Sequence, residues 1–306
     1  MELEDAGPAL NAFLNAEAET YLAKVNARTV SPEAPELVRG YFLHLFEGLH
    51  SSRLRTWLGF SDEVQRFPDR SISNWQYQQQ SIFRDPAFPW ILPMSRTIRI
   101  GEVYLGIDKV SHFFGFGRRY YQRYLRLRAA GVPEQEAHER VIRAGIAQES
   151  SLVGGFVDGI FSVGDLEANY QGMRFAIALV NPDAPVFVQE GRVWRLARAI
   201  DIVPYITPYM DESWNVPYFT RLRKRQVPEI IRNEYCPLRH GEIVKARFAR
   251  YAQYPKSLSQ QLVEARFAAK EENPWLEQQV AAICAEGTRH GEQVAMQQVT
   301  PEGAAL

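Results

Sequence analysis

The sequence predicts a mainly α-helical protein: a helical bundle with Pro- and aromatic-rich loops and one small β-hairpin. Residues 1–286 are expected to form one domain with its core at 102–180, and residues 287–306 a flexible tail without periodic pattern. Three observations predict this. Apolar residues recur at three- and four-residue spacing through most of the chain. Gly131-Val132-Pro133 and a break at Gly159 divide the central stretch into three helices whose short links imply antiparallel neighbours, and Asn181-Pro182-Asp183 ends the third. Only Pro185–Trp194, turning at Gly191, alternates like a hairpin.

Residues 8–28 have helical spacing. Ser31-Pro32-Glu33 reads as the start of a second helix, a cap followed by Pro at the first helical position, with Leu37, Tyr41, Leu45 and Leu49 on one face. His44 and His50 lie along it and are expected at the surface or its boundary. Residues 59–97 read as irregular, because Phe67-Pro68, Asp85-Pro86, Phe88-Pro89 and Leu92-Pro93 repeatedly block helix. A short helix is expected near Trp75–Gln80. A long helix is expected from Glu102 to Ala130, another from Pro133 to Gly154, and a third from Ser162 to Leu179 or Val180. Ser162 followed by Asp165 is a capping-box-like start for the third. Gly115, Gly117, Gly145, Gly154, Gly155 and Gly172 would let these helices approach closely. After the hairpin, the loop 201–218 is rich in Pro and aromatics, and helices resume near 219–233, 258–271 and 274–286.

At 306 residues the chain can bury a substantial core, and its 46% apolar and 23% charged residues are ordinary for a globular protein. A net charge of −1 gives no electrostatic ground for nucleic-acid binding. Cys236 and Cys284 fit no metal or CxxC spacing; they are read either as two buried thiols or as one disulfide. The acidic N-terminus lacks the pattern of a secretory signal, which points to the cytoplasm, and no apolar run is long enough to span a membrane. Val103–Gly117 is the most apolar window and allows peripheral membrane contact, though it reads better as a buried helix.

The chemistry concentrates between Ile107 and Phe175. Asp108 and His112 stand four apart, on one helical face, a spacing that suits two metal ligands or a carboxylate orienting an imidazole. A surface Asp–His pair is the blander reading of the same spacing. Glu149 projects from an apolar stripe of Ile142, Gly145, Ile146, Leu152, Val153 and Phe156. It needs a partner there, for which His112 and Lys109 are the candidates. Asp165 and Asn169 are again four apart, on a face continued by Gly172 and Ala176. Helix capping accounts for Asp165 almost as well as a site role, whereas Asn169 has no such explanation. Asp108, His112, Glu149, Asp165 and Asn169 together form a hard, mixed ligand set that suits Mg, Mn or Zn. Glu149 and His112 are the leading catalytic candidates. Asp211, Glu212 and Asn215 in the aromatic loop are candidates to add to the site, with capping and solvent exposure the commoner roles.

The ordered set Asp108-Lys109-x-x-His112-Phe113, Glu149, Asp158, Phe161-Ser162-x-x-Asp165-x-x-x-Asn169-x-x-Gly172 resembles the motifs of an uncharacterised bacterial helical family, a domain of unknown function that includes small predicted envelope lipoproteins. The likeness covers about the central quarter of the chain. It implies a helical fold and a bacterial-envelope setting, and it supplies no activity. Ile146-Ala-Gln-Glu149-Ser150 is also similar to the Glu-Ser helix of lysozyme-like lytic transglycosylases, which would make Glu149 a general acid. Three functions are therefore expected to compete. The first is metal-assisted hydrolysis of a phosphate ester or other envelope component. The second is a non-catalytic structural or binding role whose polar network specifies helix packing. The third is glycan cleavage by Glu149.

Overall fold

The computed structural model describes residues 2–46, 52–81, 95–150, 159–219, 227–268 and 283–284. It is mainly helical, with small antiparallel strand pairs at the margins. The N-terminal half contains α1 (Gly7–Asn26), α2 (Ala34–Leu45), α3 (Arg53–Phe60) and α4 (Asn74–Gln79). Next come β1 (Thr97–Ile100) and β2 (Val103–Gly106), then α5 (Ile107–Ala129) and α6 (Glu134–Gln148). β3 (Ile160–Phe161) leads into α7 (Val163–Leu179), and β4 (Phe187–Glu190) pairs with β5 (Val193–Leu196) as the expected hairpin. β6 (Tyr218–Phe219) pairs back with β3. The chain then forms α8 (Val227–Ile230), a π-helical turn (Ile231–Tyr235), α9 (Cys236–Arg239), α10 (Glu242–Tyr251) and α11 (Leu258–Ala268).

α5 and α7 form the spine. Phe113, Phe114, Gly117, Tyr120, Tyr121 and Tyr124 of α5 are buried at helical spacing, and nearly all of α7 is buried. The two helices run in the same direction: the Lys109 ammonium meets Asp165, His112 meets Asn169, and Gly117 faces Gly172. A Cβ on Gly117 would come within 2.8 Å of the Gly172 Cα, and one on Gly172 would overlap the Phe113 carbonyl. Glycine at both positions lets the backbones touch. Gly145 of α6 likewise lies directly under the Tyr120 hydroxyl. One continuous apolar core runs from Ala6 to Phe267, each large side chain in it contributing about 1.5–3 kcal/mol by burial.

Several expectations change. The helix expected from Glu102 starts at Ile107, because Ile98, Ile100, Val103 and Leu105 alternate into the core as a hairpin that turns at Gly101 (φ 59). α2 starts after Glu33, with Pro35 inside its first turn, not at Ser31. His44 is buried, its Nε2 2.6 Å from the Glu17 carboxylate, and burial lowers its pKa against the opposing pull of Glu17. Tyr218–Phe219 is a strand where a helix was expected to resume, and α10 was not foreseen. Cys236 and Cys284 form a disulfide. The expected helix at 274–286 (save Ile283 and Cys284), the tail 287–306, His50, Gly154, Gly155 and Asp158 lie outside the described residues.

Candidate functional site

The parallel arrangement of α5 and α7 brings their N-terminal turns together, each opening with a carboxylate, Asp108 on α5 and Asp165 on α7. Acidic side chains at this position complement the positive ends of the helix dipoles. Lys109 is the hub. Its ammonium lies 2.7 Å from Asp108 Oδ2, 2.7 Å from Asp165 Oδ1 and 3.0 Å from Glu212 Oε1. Only 2% of the lysine is exposed, so three carboxylates from three separate elements replace water around one buried cation.

The electrostatics follow from that arrangement. Burial opposes the charge on Lys109, but Asp108, Asp165 and Glu212 outweigh it and raise its pKa well above the ordinary lysine value. Burial pushes the Asp108 carboxyl up as well. Lys109 beside it, with His112 and the Ser95 hydroxyl, overrides this and holds it at about 2. Glu212 goes the other way, raised by burial and by its acidic neighbours against the pull of Lys109. Asp108 and Glu212 are deep-set, yet their side chains are 36% and 37% accessible, because they face an internal cavity rather than packed protein.

His112 lies one turn beyond Asp108. Its Nδ1 is 3.2 Å from Asn169 Oδ1, and its Nε2 is 3.4 Å from Asp165 Oδ2. With the Asn169 oxygen as acceptor, the Nδ1–H tautomer satisfies this contact. Nε2 faces the Asp165 carboxylate, so the ring stands between an amide oxygen on one nitrogen and a carboxylate on the other. Phe116 stacks on the imidazole with centroids 4.9 Å apart and fixes its plane.

The start of α7 is wired in a way the sequence concealed. Ser162 caps the helix, its hydroxyl accepting from the Asp165 N–H at 3.0 Å. In a full capping box Asp165 would return a bond to the Ser162 N–H. That N–H instead donates to Glu149 Oε1 at 3.3 Å, and the Ser162 hydroxyl donates to Glu212 at 2.6 Å. Asp165 is thereby free to face Lys109 and His112. Glu149 is therefore an anchor for the helix that carries the site. Its expected partners, His112 and Lys109, have the contacts given above. Tyr120 is buried between α5 and α6. Burial pushes its hydroxyl above the ordinary tyrosine range, with the Asn169 amide opposing and Glu149 reinforcing the shift.

Asp108, Lys109, His112, Glu149, Asp165 and Glu212 all line one cavity of about 830 Å³. Of the five residues expected as metal ligands, Asp108, His112, Asp165 and Asn169 converge, while Glu149 lines the same space from the side. Among the described residues, no group of three or more His, Cys, Asp or Glu has an arrangement that could hold a metal ion. Two members have larger roles than expected: Lys109, expected only as a partner for Glu149, is the organising cation, and Glu212, for which capping and solvent exposure were the commoner reading, is one of its three carboxylates. The Asp211–Asn215 turn does use capping bonds, Asp211 accepting from the Ser213 N–H at 2.9 Å and Asn215 donating to the Tyr209 carbonyl at 2.8 Å. Asp211 is nonetheless buried, and Glu212 between them turns inward.

No helix among the described residues is long and apolar enough to cross a membrane. In comparisons with protein families, curated proteins and solved structures, none matches this chain.

Proposed function

We propose that the protein is a hydrolase in which His112 is the general base, Asn169 and Asp165 orient it, and Lys109 holds the surrounding carboxylates in place. The observation that carries this reading is an imidazole at the wall of an 830 Å³ cavity, set between Asn169 at one nitrogen and the Asp165 carboxylate at the other. In the reaction, Nε2 takes a proton from a water whose oxygen bonds the scissile carbonyl carbon. The imidazolium so formed is stabilised by Asp165 and returns the proton to the departing oxygen or nitrogen as that bond breaks. Lys109 does not act as a nucleophile in this scheme, since its three N–H bonds point at three carboxylates.

Three carboxylates face the Lys109 ammonium, and Arg55, Arg239 and Arg247 also line the cavity, so a substrate meets both signs of charge there. A second reading has a divalent Mg, Mn or Zn ion drawn to these carboxylates once they leave their present arrangement around Lys109, which would make an anionic phosphate ester acceptable. Both readings are tested with chromogenic carboxylic esters, amides, phosphate esters and glycosides, each with EDTA or with added divalent ion. Turnover of a carboxylic ester or amide that persists in EDTA and falls 10²–10⁴-fold in His112→Gln supports the first, at the magnitude general-base catalysis carries. Phosphate ester turnover restored only by metal supports the second. If no substrate class is turned over faster by wild type than by His112→Gln, the hydrolase reading fails and the Lys109 network is a packing device.

A further inference from the structure

The cavity has a second charged cluster, remote in sequence from Lys109 and unused by the chemistry above. Arg239, the last residue of α9, and Arg247, on α10, both line it. Each guanidinium is braced by aromatic rings: Arg247 lies 4.4 Å over Tyr104, and both lie 5.5 Å from the Phe248 ring centre. Ser213 ties the two together. Arg247 donates to its hydroxyl at 3.2 Å, and the Tyr235 hydroxyl, reached by Arg239 at 3.5 Å, donates to its carbonyl.

What the arginines lack is counter-charge. Among the described residues, Asp211 is the one carboxylate within 4 Å of either. Its Oδ2 is 3.7 Å from Arg247 Nε, beyond hydrogen-bond distance, and neither atom is hydrogen-bonded. Only 13% of the Arg247 side chain is exposed, so water does little to replace the missing partner. A guanidinium has five N–H donors, and the described residues take one from each of these two.

We propose that Arg239 and Arg247 form a subsite for an oxyanion, the carboxylate or phosphate group of a ligand whose remaining part lies in the same cavity. Either group presents oxygens to which the planar fork of a guanidinium donates two bonds at once. On the hydrolase reading, on which this rests for the reaction, the substrate is an ester or amide that bears such a group away from the scissile bond. Binding is separable from turnover.

The test is calorimetric titration of the full chain with benzoate, phenyl phosphate and benzamide, the last a neutral match for benzoate. Benzoate or phenyl phosphate should bind at least about tenfold more tightly than benzamide, the least that a hydrogen bond to a charged group carries, and the tighter of the two names the group the subsite takes. Arg239→Met, which breaks no ion pair among the described residues, and Arg247→Met should each cut that preference about tenfold. Lys245→Met, exposed on α10 and outside the lining, should leave it unchanged. Asp211→Asn should tighten anion binding, because it removes the carboxylate that competes for Arg247. Anions bound no more tightly than benzamide, or a preference that survives Arg239→Met, overturn the proposal even if neutral esters are hydrolysed. Anion binding retained in His112→Gln, with no hydrolysis of any ester or amide by wild type, sinks the hydrolase reading alone.

Discussion

Lys109→Met is the most informative single perturbation of this molecule. Methionine keeps most of the buried stem and removes the cation that three carboxylates share at 2.7, 2.7 and 3.0 Å. Removing one partner of a buried ionic cluster costs about 3–5 kcal/mol, because the remaining charges stay desolvated and uncompensated. Here Asp108 and Glu212 are over a third accessible through the cavity, and only Asp165, at 16%, is closely covered. Water and ions screen the first two, so the loss should fall near the lower end, about 3 kcal/mol at pH 7. In a chain of 306 residues that lowers Tm by about 5 °C. The pH dependence separates charge from packing. Without the ammonium the three carboxylates repel one another, and their folded-state pKa values rise above the unfolded ones. The penalty is then full at neutral pH and is relieved as pH falls and they take up protons. Urea titrations of wild type and variant at pH 7 and pH 5 should show the deficit shrinking. A deficit below about 1 kcal/mol at pH 7, or one equal at both pH values, would refute the description of Lys109 as the organising cation.

Other consequences are open to measurement. Asp108 has a folded-state carboxyl pKa of about 2, below its ordinary value, so it contributes stability above the ordinary range that is lost as pH falls toward 2; Asp108→Asn should flatten that part of the acid-unfolding profile, and an unchanged profile would contradict the assignment. The Cys236–Cys284 disulfide closes a loop of 48 residues, for which chain entropy gives about 4 kcal/mol. Reduction should lower Tm by about 6 °C, and an unchanged Tm with both thiols free by titration would show that it contributes nothing. Gly172→Ala drives a methyl group into the Phe113 carbonyl and should destabilise by about 3 kcal/mol or more. Gly59→Ala, with nothing within 4 Å in a helix, should stabilise by up to about 1 kcal/mol. Denaturant midpoints of the pair should therefore move in opposite directions.

Much of the fold was legible because its signals are local. The helical spacing of α5, α6 and α7, the Gly131 break and the Gly191 turn each depend on neighbouring residues. Ile98 to Leu105 was misread because a strand pair with a Gly turn, followed at once by α5, gives one unbroken apolar run whose period shifts from two to three or four. The site was legible where its members repeat along one face, as Asp108 does with His112 and Asp165 with Asn169. Lys109 was hidden because consecutive helical residues normally point apart; a long, flexible stem let its ammonium reach the carboxylate of its neighbour. Glu212 was hidden because its role depends on where a loop 50 residues from Ser162 returns. Asp165 looked like a capping residue because the sequence does not tell that Glu149, from a different helix, takes over its half of the capping box.

The proposed chemistry turns on one atom, the His112 Nε2 at the cavity wall. Long-range proton–nitrogen correlation spectra of ¹⁵N-histidine protein, at a pH where the ring is neutral, report which nitrogen carries hydrogen. With Asn169 Oδ1 accepting from Nδ1 at 3.2 Å, the ring should be the Nδ1–H tautomer, and Asn169→Leu should release that preference. A wild-type ring protonated on Nε2 would leave the cavity without its base and contradict the proposed chemistry.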